Sequence, residues 1–323
     1  MSTFSKPTFN ATRYAASRPH YPRALYSHVL EYAAPEPTTS SPRTLVDVGC
    51  GPGLSTFEFG SSRAFDRIIG VDPSAAMIRA AEVIRDEKEQ SHAVPPGKFA
   101  FKQGKVDQLE AVGIEPESVD LVVAGQAAHW FDALPTYESL ARVLKPGGSF
   151  IFWGYGEIFF RQRPELSALI PPYSGQLLGP YWEQPGRSIV ENLLVQFPLP
   201  IPANFLSTLE RDRVHAACDK FDAASLRRTF HLADPSRVPD LLDSERDRIG
   251  TSTHSILLTK QWTLEGLEGY LQTWSSLHKY REEKGEAHDI VADLLKRLRE
   301  QGWRDGDEVE ACWEMGMLMG KKK

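Results

Sequence analysis

Cysteine is scarce in this chain, whose 323 residues contain three: Cys50, Cys218 and Cys312. They are odd in number and far apart, and no pair has the spacing of zinc ligands, which excludes a disulfide framework and a cysteine-based zinc site. We interpret them as free thiols and expect no metal site.

Long apolar runs and an excess of positive charge are missing as well. No stretch approaches the ~20 consecutive apolar residues that a membrane helix needs, and the segment from Met1 to Pro7 lacks the apolar core of a signal peptide. Lysine and arginine number 37 against 43 acidic residues, so the chain offers no broad basic face to nucleic acid. We therefore expect a cytosolic globular protein that contacts neither membranes nor nucleic acid, with Lys321–Lys323 as a solvated tail.

Glycine marks the most informative stretch of the sequence. A short apolar strand over Thr44–Val48 is followed by Gly49, Gly51 and Gly53. Backbone without side chains lets a ligand approach closely, and a strand-to-helix turn of this kind presents amide groups to a nucleotide-like ligand. The next strand ends in Asp72, at the separation typical of a carboxylate that accepts hydrogen bonds from ribose hydroxyls. The two features together predict an adenosyl pocket.

The glycine spacing also separates two kinds of cofactor. Dinucleotide-binding turns read Gly-x-Gly-x-x-Gly, whereas here the third glycine comes one residue early, and Asp47 precedes the turn. A carboxylate under the turn would oppose a pyrophosphate but can help to hold the ammonium group of a methionine moiety, usually through water. The pattern favours S-adenosylmethionine over NAD, and an NAD-dependent oxidoreductase stays an alternative.

Two segments resemble the motifs of a known family. Val46–Gly53 is similar to the first motif of the class I S-adenosylmethionine-dependent methyltransferases, and Gly70–Met77 is similar to their second motif. Within that class, aromatic segments resemble the fungal enzymes similar to trans-aconitate methyltransferase: Phe9, Tyr14, Arg18-Pro19, Tyr21-Pro22, Ala128–Phe131, Leu178–Trp182 and Tyr270–Ser275. The resemblance implies S-adenosylmethionine as cofactor and a carboxylate as methyl acceptor.

Alternating strand and helix patterns up to Trp153 predict an α/β fold with a doubly wound, mostly parallel sheet. With the late strands, we expect a seven-stranded Rossmann-like sheet that carries a helical lid insertion. The predicted domains are an N-terminal cap segment and linker at 1–43, a cofactor-binding core at 44–155, a helical substrate lid at 156–250, and C-terminal helices and strands at 251–323 that complete the sheet.

Cofactor contacts are expected near the carboxyl ends of the strands and in the N-terminal segment. We predict them for Tyr14, Arg18, Asp47, Gly49, Cys50, Gly51, Gly53, Asp72, Pro73, Met77, Val106, Asp107 and Gln126. The role of Asp107 is implied by the resemblance, in which an acidic residue at this place accepts a hydrogen bond from the adenine amino group.

The methyl acceptor is expected to meet Arg18, His129 and Trp130, with Trp153, Tyr155, Tyr173, Tyr181 and Trp182 as further candidates. A carboxylate is already ionised at neutral pH and needs no general base, and a guanidinium can grip it with two hydrogen bonds. Arg18 could equally serve the carboxylate of the cofactor.

Besides the NAD-dependent oxidoreductase, two alternatives to a carboxylate methyltransferase stay open. One is a secondary-metabolite methyltransferase that acts on a phenol or an amine, with His129 as general base. The other is a regulatory protein that binds the cofactor without catalysis. In each case we expect a small-molecule ligand and a monomer or weak homodimer.

Overall fold

The structure is a computed structural model that describes residues 14, 17–33, 42–61, 64–205, 210–234, 236, 250–255 and 258–323. Phe9 and most of the predicted linker, residues 34–41, lie outside the described residues.

The strands of the described residues form one sheet. They are β1 (Thr44–Val48), β2 (Arg67–Asp72), β3 (Phe99–Gln103), β4 (Val119–Gly125), β5 (Leu144–Phe159), β6 (Arg227–His231), β7 (Thr251–His254), β8 (Leu258–Trp262) and β9 (Val309–Lys321). Their order is β3-β2-β1-β4-β5-β9-β6-β7, and β8 also pairs with β9. The first five strands run parallel, while β9 is antiparallel to β5, β6 and β8. The doubly wound, mostly parallel sheet is confirmed, with nine strands in the described part of the chain instead of the expected seven.

Helices cover the faces and one end of the sheet. They are α1 (Arg23–Ala33), α2 (Leu54–Glu58), α3 (Ala75–Gln90), α4 (Ala133–Val143), α5 (Pro164–Ser167), α6 (Gly186–Glu191), α7 (Arg211–Cys218), α8 (Leu264–Leu271), α9 (Ser275–Lys284) and α10 (Ile290–Glu300). Side-chain caps fix several starts: Ser74 accepts from the amide of Met77 at α3, and Thr263 accepts from the amide of Gly266 at α8.

Apolar residues of the central strands are buried on both faces of the sheet. Leu45 packs into one large cluster, and Val46 and Val48 pack into another on the opposite face. Successive side chains of a strand point to opposite faces, so a strand covered on both sides reads as a continuous apolar run. The apolar run before the glycine turn is explained by this burial.

The segment predicted as a lid contains more of the sheet than expected. Strand β5 continues to Phe159, past the predicted boundary at 156, and β6 hydrogen-bonds to β9 although it lies inside 156–250. The insertion between β5 and β6 consists of short helices and turns, among them a π-helical turn at Pro172–Leu177. The predicted lid is therefore corrected to the stretch between these two strands.

The predicted solvated tail is also corrected. Lys322 is buried, its Nζ donates to the carbonyl of Leu144 at 2.8 Å, and it lies 2.9 Å from a carboxylate oxygen of Glu117. Within the described ranges, no helix has the length and apolar character needed to cross a bilayer.

Candidate active site

A cavity of about 370 Å³ lies beyond the carboxyl ends of β1, β2 and β4, where a sheet of this topology binds ligands. Its volume is in the range of small-molecule sites. Predicted residues that line it are Tyr14, Arg18, Gly49, Gly51, Asp72, Pro73, Met77, Gln126, His129, Trp130, Tyr155 and Trp182. The cavity thus joins the glycine turn to the insertion between β5 and β6.

The glycine turn is tight, and its three glycines, Gly49, Gly51 and Gly53, all have positive φ angles. Gly49 has a φ of +69°, and a Cβ there would lie 2.4 Å from the Cβ of Ala127. Gly51 has a φ of +54°, and a Cβ there would meet nothing within 4 Å, because the space beside it is open. A bare backbone next to open space fits the close approach of a ligand.

Asp72 ends β2 beside this turn. One carboxylate oxygen accepts from the amide of Gly51 at 2.9 Å, and the other accepts from the amide of Ser74 at 2.8 Å. Burial raises the pKa of Asp72, and the two amide hydrogen bonds oppose that rise. A buried carboxylate at the rim of a glycine-lined cavity fits the ribose hydroxyls of an adenosyl group, which are hydrogen-bond donors.

Asp47 lies beneath the turn and not in the cavity. It is fully buried, and one of its oxygens accepts from Ser55 Oγ at 2.9 Å and from Thr56 Oγ1 at 2.6 Å. Its other oxygen has no hydrogen-bond partner among the described residues. Burial raises the pKa of Asp47 to about 6. The carboxylate therefore supports the first turn of α2, and its predicted contact with the cofactor ammonium stays a prediction.

Four further residues predicted at the cofactor do not line the main cavity. Cys50 faces a smaller adjoining pocket of about 80 Å³, which Tyr14 and Arg18 also line. Gly53 begins α2, where a Cβ would lie 2.7 Å from the ring of Phe57. The remaining two are Val106, which is buried in the core, and Asp107, which lies in the turn after β3 outside the cavity.

Three aromatic candidates for the acceptor site also lie outside the cavity. Trp153 is fully buried within β5 beside the end of β4, with its ring 5.6 Å from that of Tyr21. Tyr173 packs 6.0 Å from Trp274, and Tyr181 packs 5.3 Å from Tyr280, measured between ring centroids. These rings pack against other side chains of the fold, so they support the walls of the site from outside the cavity.

Arg18 is held between aromatic rings at the junction of the two pockets. Its guanidinium donates to Tyr155 Oη at 3.0 Å and to the carbonyl of Thr273 at 3.4 Å, and it lies 4.7 Å from the ring centre of Tyr14 and 5.2 Å from that of Tyr270. Burial opposes its charge, but the surrounding tyrosines raise the pKa of Arg18 above its ordinary value. Its Nε is buried without a partner, and among the described residues Arg18 forms no ion pair with a carboxylate.

His129 follows β4 and faces the same cavity. Burial, together with the charges of Arg18 and Arg187, lowers the pKa of His129 to about 3. Its Nδ1 is buried and has no hydrogen-bond partner among the described residues, and its ring lies 4.9 Å from that of Trp130. The imidazole is therefore neutral at physiological pH and a weak base.

Sequence reasoning missed several residues of the cavity wall: Glu157, Glu183, Arg187, Val190, Tyr270, Trp274 and Ser275. The Nη2 of Arg187 lies 3.0 Å from Glu157 Oε2 and 2.5 Å from Glu191 Oε1. Glu157 also accepts a hydrogen bond from Ser174 Oγ, and burial raises its pKa. Tyr270 and Trp274 lie in a segment that was named only for its resemblance to the family. Had β5 been predicted to continue past Trp153, Glu157 would have been expected near the cavity.

The matches with known proteins agree with this geometry. Residues 46–152 match the methyltransferase domain family. A Saccharomyces cerevisiae protein, CRG1, described as a probable S-adenosylmethionine-dependent methyltransferase, is 30% identical over 193 residues, which cover 59% of this chain and 62% of that protein. The methyltransferase cfoB of Aspergillus candidus is 29% identical over 203 residues, which cover 57% of this chain and 59% of that protein. The chain thus spans less than two thirds of the length of these relatives.

A similar fold is seen in the solved structure of a candidate type II methyltransferase from Anaeromyxobacter dehalogenans. It is 24% identical, the match covers 94% of this chain and 97% of that chain, and the TM-score is 0.61. Fold, glycine turn, Asp72 and domain match point the same way: residues 46–152 form a methyltransferase domain of the class I S-adenosylmethionine-dependent type, whose cofactor is S-adenosylmethionine.

Proposed function

We propose that this protein transfers a methyl group from S-adenosylmethionine to a carboxylate of a small carboxylic acid, giving a methyl ester and S-adenosylhomocysteine. The resemblance names trans-aconitate as an acid to test. When bound, S-adenosylmethionine supplies a methyl group activated by a positively charged sulfur. A carboxylate oxygen forms the new bond to carbon with its own lone pair as the bond from carbon to sulfur breaks, so no proton has to be removed.

The observation that carries the proposal is the pair of Arg18 and His129. The cavity wall holds a guanidinium without a carboxylate partner among the described residues, next to an imidazole whose pKa of about 3 makes it a poor general base. An acceptor that arrives already ionised suits both groups, because it needs no base and is attracted by the cation. The neutral imidazole can still exchange hydrogen bonds through its unpartnered Nδ1.

The other residues of the site would bind the donor and exclude water. Gly51 and Asp72 would hold the adenosyl group at the glycine turn, and Tyr14 and Arg18 face both pockets, where the carboxylate of the donor needs a cation. Aromatic side chains from the insertion close the cavity on the acceptor side. Holding acceptor and methyl group in line within a closed site supplies much of the rate for such a transfer.

A second candidate function rests on Glu157. This carboxylate lines the cavity, and burial raises its pKa above the ordinary value, which makes it a stronger base that could accept a proton from a phenol or an amine. In that case the protein would be a secondary-metabolite methyltransferase, with Glu157 in the role that the sequence suggested for His129.

S-Adenosylhomocysteine release tests both candidates. We would measure it over a panel of carboxylic acids, phenols and amines, with Asp72→Ala as the binding-defective variant and the exposed Asp219→Asn as its matched control. Turnover of acids alone, lost in Asp72→Ala, supports the proposal. Turnover of phenols or amines alone overturns it in favour of the second candidate. Silence with every acceptor, while the protein still binds the cofactor, overturns both and supports a regulatory binding protein.

The cellular location and the oligomeric state of the protein do not follow from the residues of this site. A cytosolic location and a monomer or weak homodimer stay predictions, to be tested by fractionation and by light scattering.

A further inference from the structure

The acceptor side of the cavity is rich in aromatic rings and poor in available positive charge. From this we infer that the acceptor carries one carboxylate on an apolar, planar body, and that acids with several carboxylates are poor substrates. The inference rests on the proposed function and narrows its substrate class.

Arg187, the second arginine of the cavity wall, has its charge compensated within the fold. Its Nη2 lies 3.0 Å from Glu157 and 2.5 Å from Glu191, and its guanidinium carbon lies 4.1 Å from the ring centre of Trp182. The side chain is only 10% exposed. A carboxylate of a ligand would have to displace these partners and leave the partly buried Glu157, whose side chain is 27% exposed, without its cation, which is costly.

The other charged groups on this side are acidic. Glu183 lines the cavity and pairs with Lys279 at 2.7 Å, and Glu157 lines the cavity as well. Of the two arginines among the described lining residues, Arg18 is the one without a carboxylate partner. If Arg18 meets the acceptor, it neutralises one carboxylate, and if it meets the carboxylate of the cofactor, the shortage of positive charge is greater. In either case the second and third carboxylates of a polycarboxylic acid would be buried without a counterion.

The acceptor side of the cavity offers apolar surface to a ligand in place of available cations. Trp130, Trp182, Trp274 and Val190 line the cavity, and Trp130 is 41% exposed. The wall is held in place, because Trp182 Nε1 donates to the carbonyl of Ser174 at 2.9 Å and the rings of Trp182 and Trp274 lie 5.3 Å apart. An apolar, planar body would bury this surface, which is the main source of affinity in small-molecule sites.

Gly186 lies where helix α6, which carries Arg187, contacts the aromatic wall of the cavity. A Cβ at Gly186 would lie 3.2 Å from the ring of Trp130 and 3.3 Å from the carbonyl oxygen of His129. Helix α6 therefore packs directly on the loop after β4. This close packing fixes Arg187 and Trp130 relative to each other, so that the charge pair and the aromatic wall form one rigid surface.

Two matched acids test the inference on the 323-residue protein: trans-cinnamate, and 4-carboxycinnamate, which is the same body with a second carboxylate. With saturating S-adenosylmethionine, we expect the second carboxylate to lower kcat/KM by about tenfold or more, the factor that corresponds to about 1.4 kcal/mol. We also expect trans-aconitate to be a weaker substrate than cinnamate.

Glu157→Gln adds a variant with the opposite expectation. Removal of this carboxylate frees part of the charge of Arg187, so the ratio of kcat/KM for 4-carboxycinnamate over cinnamate should rise by about fivefold or more. Glu138→Gln is the matched control, because Glu138 pairs with Arg213 outside the cavity. Measuring a ratio of two substrates separates this effect from a loss of folded enzyme.

The outcomes separate the inference from the proposed function. If 4-carboxycinnamate or trans-aconitate is methylated as efficiently as cinnamate, or if the ratio does not change in Glu157→Gln, the inference is wrong while carboxylate methylation stands. If none of the acids is methylated and phenols are, the proposed function itself fails.

Discussion

Gln126 binds both backbone groups of Tyr155 with its side-chain amide. Its Oε1 accepts from the Tyr155 amide at 2.7 Å, and its Nε2 donates to the Tyr155 carbonyl at 3.1 Å. Gln126 has a φ of +55°, which is uncommon for a residue with a side chain, and it directly follows β4. The amide therefore joins the end of β4 to β5 at the floor of the cavity.

Removal of this amide should destabilise the protein. In Gln126→Ala, both backbone groups of Tyr155 lose their partner, and we expect the free energy of unfolding to fall by about 2 kcal/mol. Chemical denaturation measures this change, with the exposed Gln108→Ala as control. Gln126→Glu keeps an acceptor for the Tyr155 amide but places a negative charge beside its carbonyl, so it should be no more stable than Gln126→Ala. Equal stability of Gln126→Ala and wild type would contradict the structural role.

Asp72 and Asp107 should differ in their effect on cofactor binding. Asp72 lies at the cavity and faces the expected ribose position, whereas Asp107 lies outside it. Loss of hydrogen bonds to a charged acceptor costs roughly 1.5–3 kcal/mol, so Asp72→Asn should weaken the binding of S-adenosylmethionine by about 10- to 100-fold. Asp107→Asn should weaken it by less than about threefold. Isothermal titration calorimetry measures both, and a larger loss in Asp107→Asn would restore the adenine contact that the resemblance implies.

Gly49 and Gly51 should fail in different ways when each is replaced by alanine. In Gly49→Ala the new methyl group would lie 2.4 Å from the Cβ of Ala127, so β4 and the turn must move apart, and we expect a drop in Tm of several degrees. In Gly51→Ala the methyl group enters open space. The free energy of unfolding should then fall only by the cost of a side chain at a positive φ, about 1 kcal/mol. The cofactor, however, would lose its close approach at Gly51. Thermal unfolding and cofactor titration on both variants should therefore give opposite rankings.

His129 should not set the pH dependence of the reaction with an acid acceptor. Its pKa of about 3 leaves it neutral over the whole range from pH 5 to 8. We expect His129→Gln to lower kcat by less than about tenfold, since loss of a general base typically costs 10²–10⁴. We also expect the pH profile of kcat to be flat between pH 5 and 8 in both proteins. A profile that rises through pH 6.5 in wild type and becomes flat in the variant would show that His129 acts as a base.

Asp47 should make the unliganded protein less stable at neutral than at acidic pH. Its pKa is raised to about 6 in the folded state and is about 3.8 when unfolded, so the folded state binds the proton more tightly. The resulting stability is present below about pH 4 and is lost as the pH rises through about 6, by roughly 3 kcal/mol at most. In Asp47→Asn this contribution disappears, so the difference in unfolding free energy between the two proteins should change between pH 4 and 6. A constant difference over that range would contradict the raised pKa.

Much of the cofactor side could be predicted because its signals are local. The apolar strand, the glycines and Asp72 lie within 30 residues of one another, and each follows from backbone rules that hold wherever a strand meets a helix. The predicted positions of Gly49, Gly51, Asp72, Pro73 and Met77 all lie on the cavity.

The acceptor side could not be predicted in the same way. Arg187 and Tyr270 reach the cavity from an insertion and from a late helix, and no periodicity in the sequence states where such segments pack. The sequence also does not distinguish between the aromatic residues near them, because Trp182 lines the cavity whereas its neighbour Tyr181 packs away from it. Likewise, three consecutive lysines predict a solvated tail. In the structure, Lys322 follows β9 and donates to the carbonyl of Leu144.

The position of β9 has a consequence for the order in which the chain can fold during synthesis. Strands β1 to β4 pair with neighbours that the ribosome has already made or makes soon after, so this half of the sheet can assemble as it emerges, while one edge of β5 waits for β9. Strands β6 and β8 reach the sheet only through β9, which is synthesised after both. Until then the edge of each strand that faces β9 is unpaired, and such edges are sites of misassociation between nascent chains. Chaperone contacts during translation should therefore concentrate on β6 and β8.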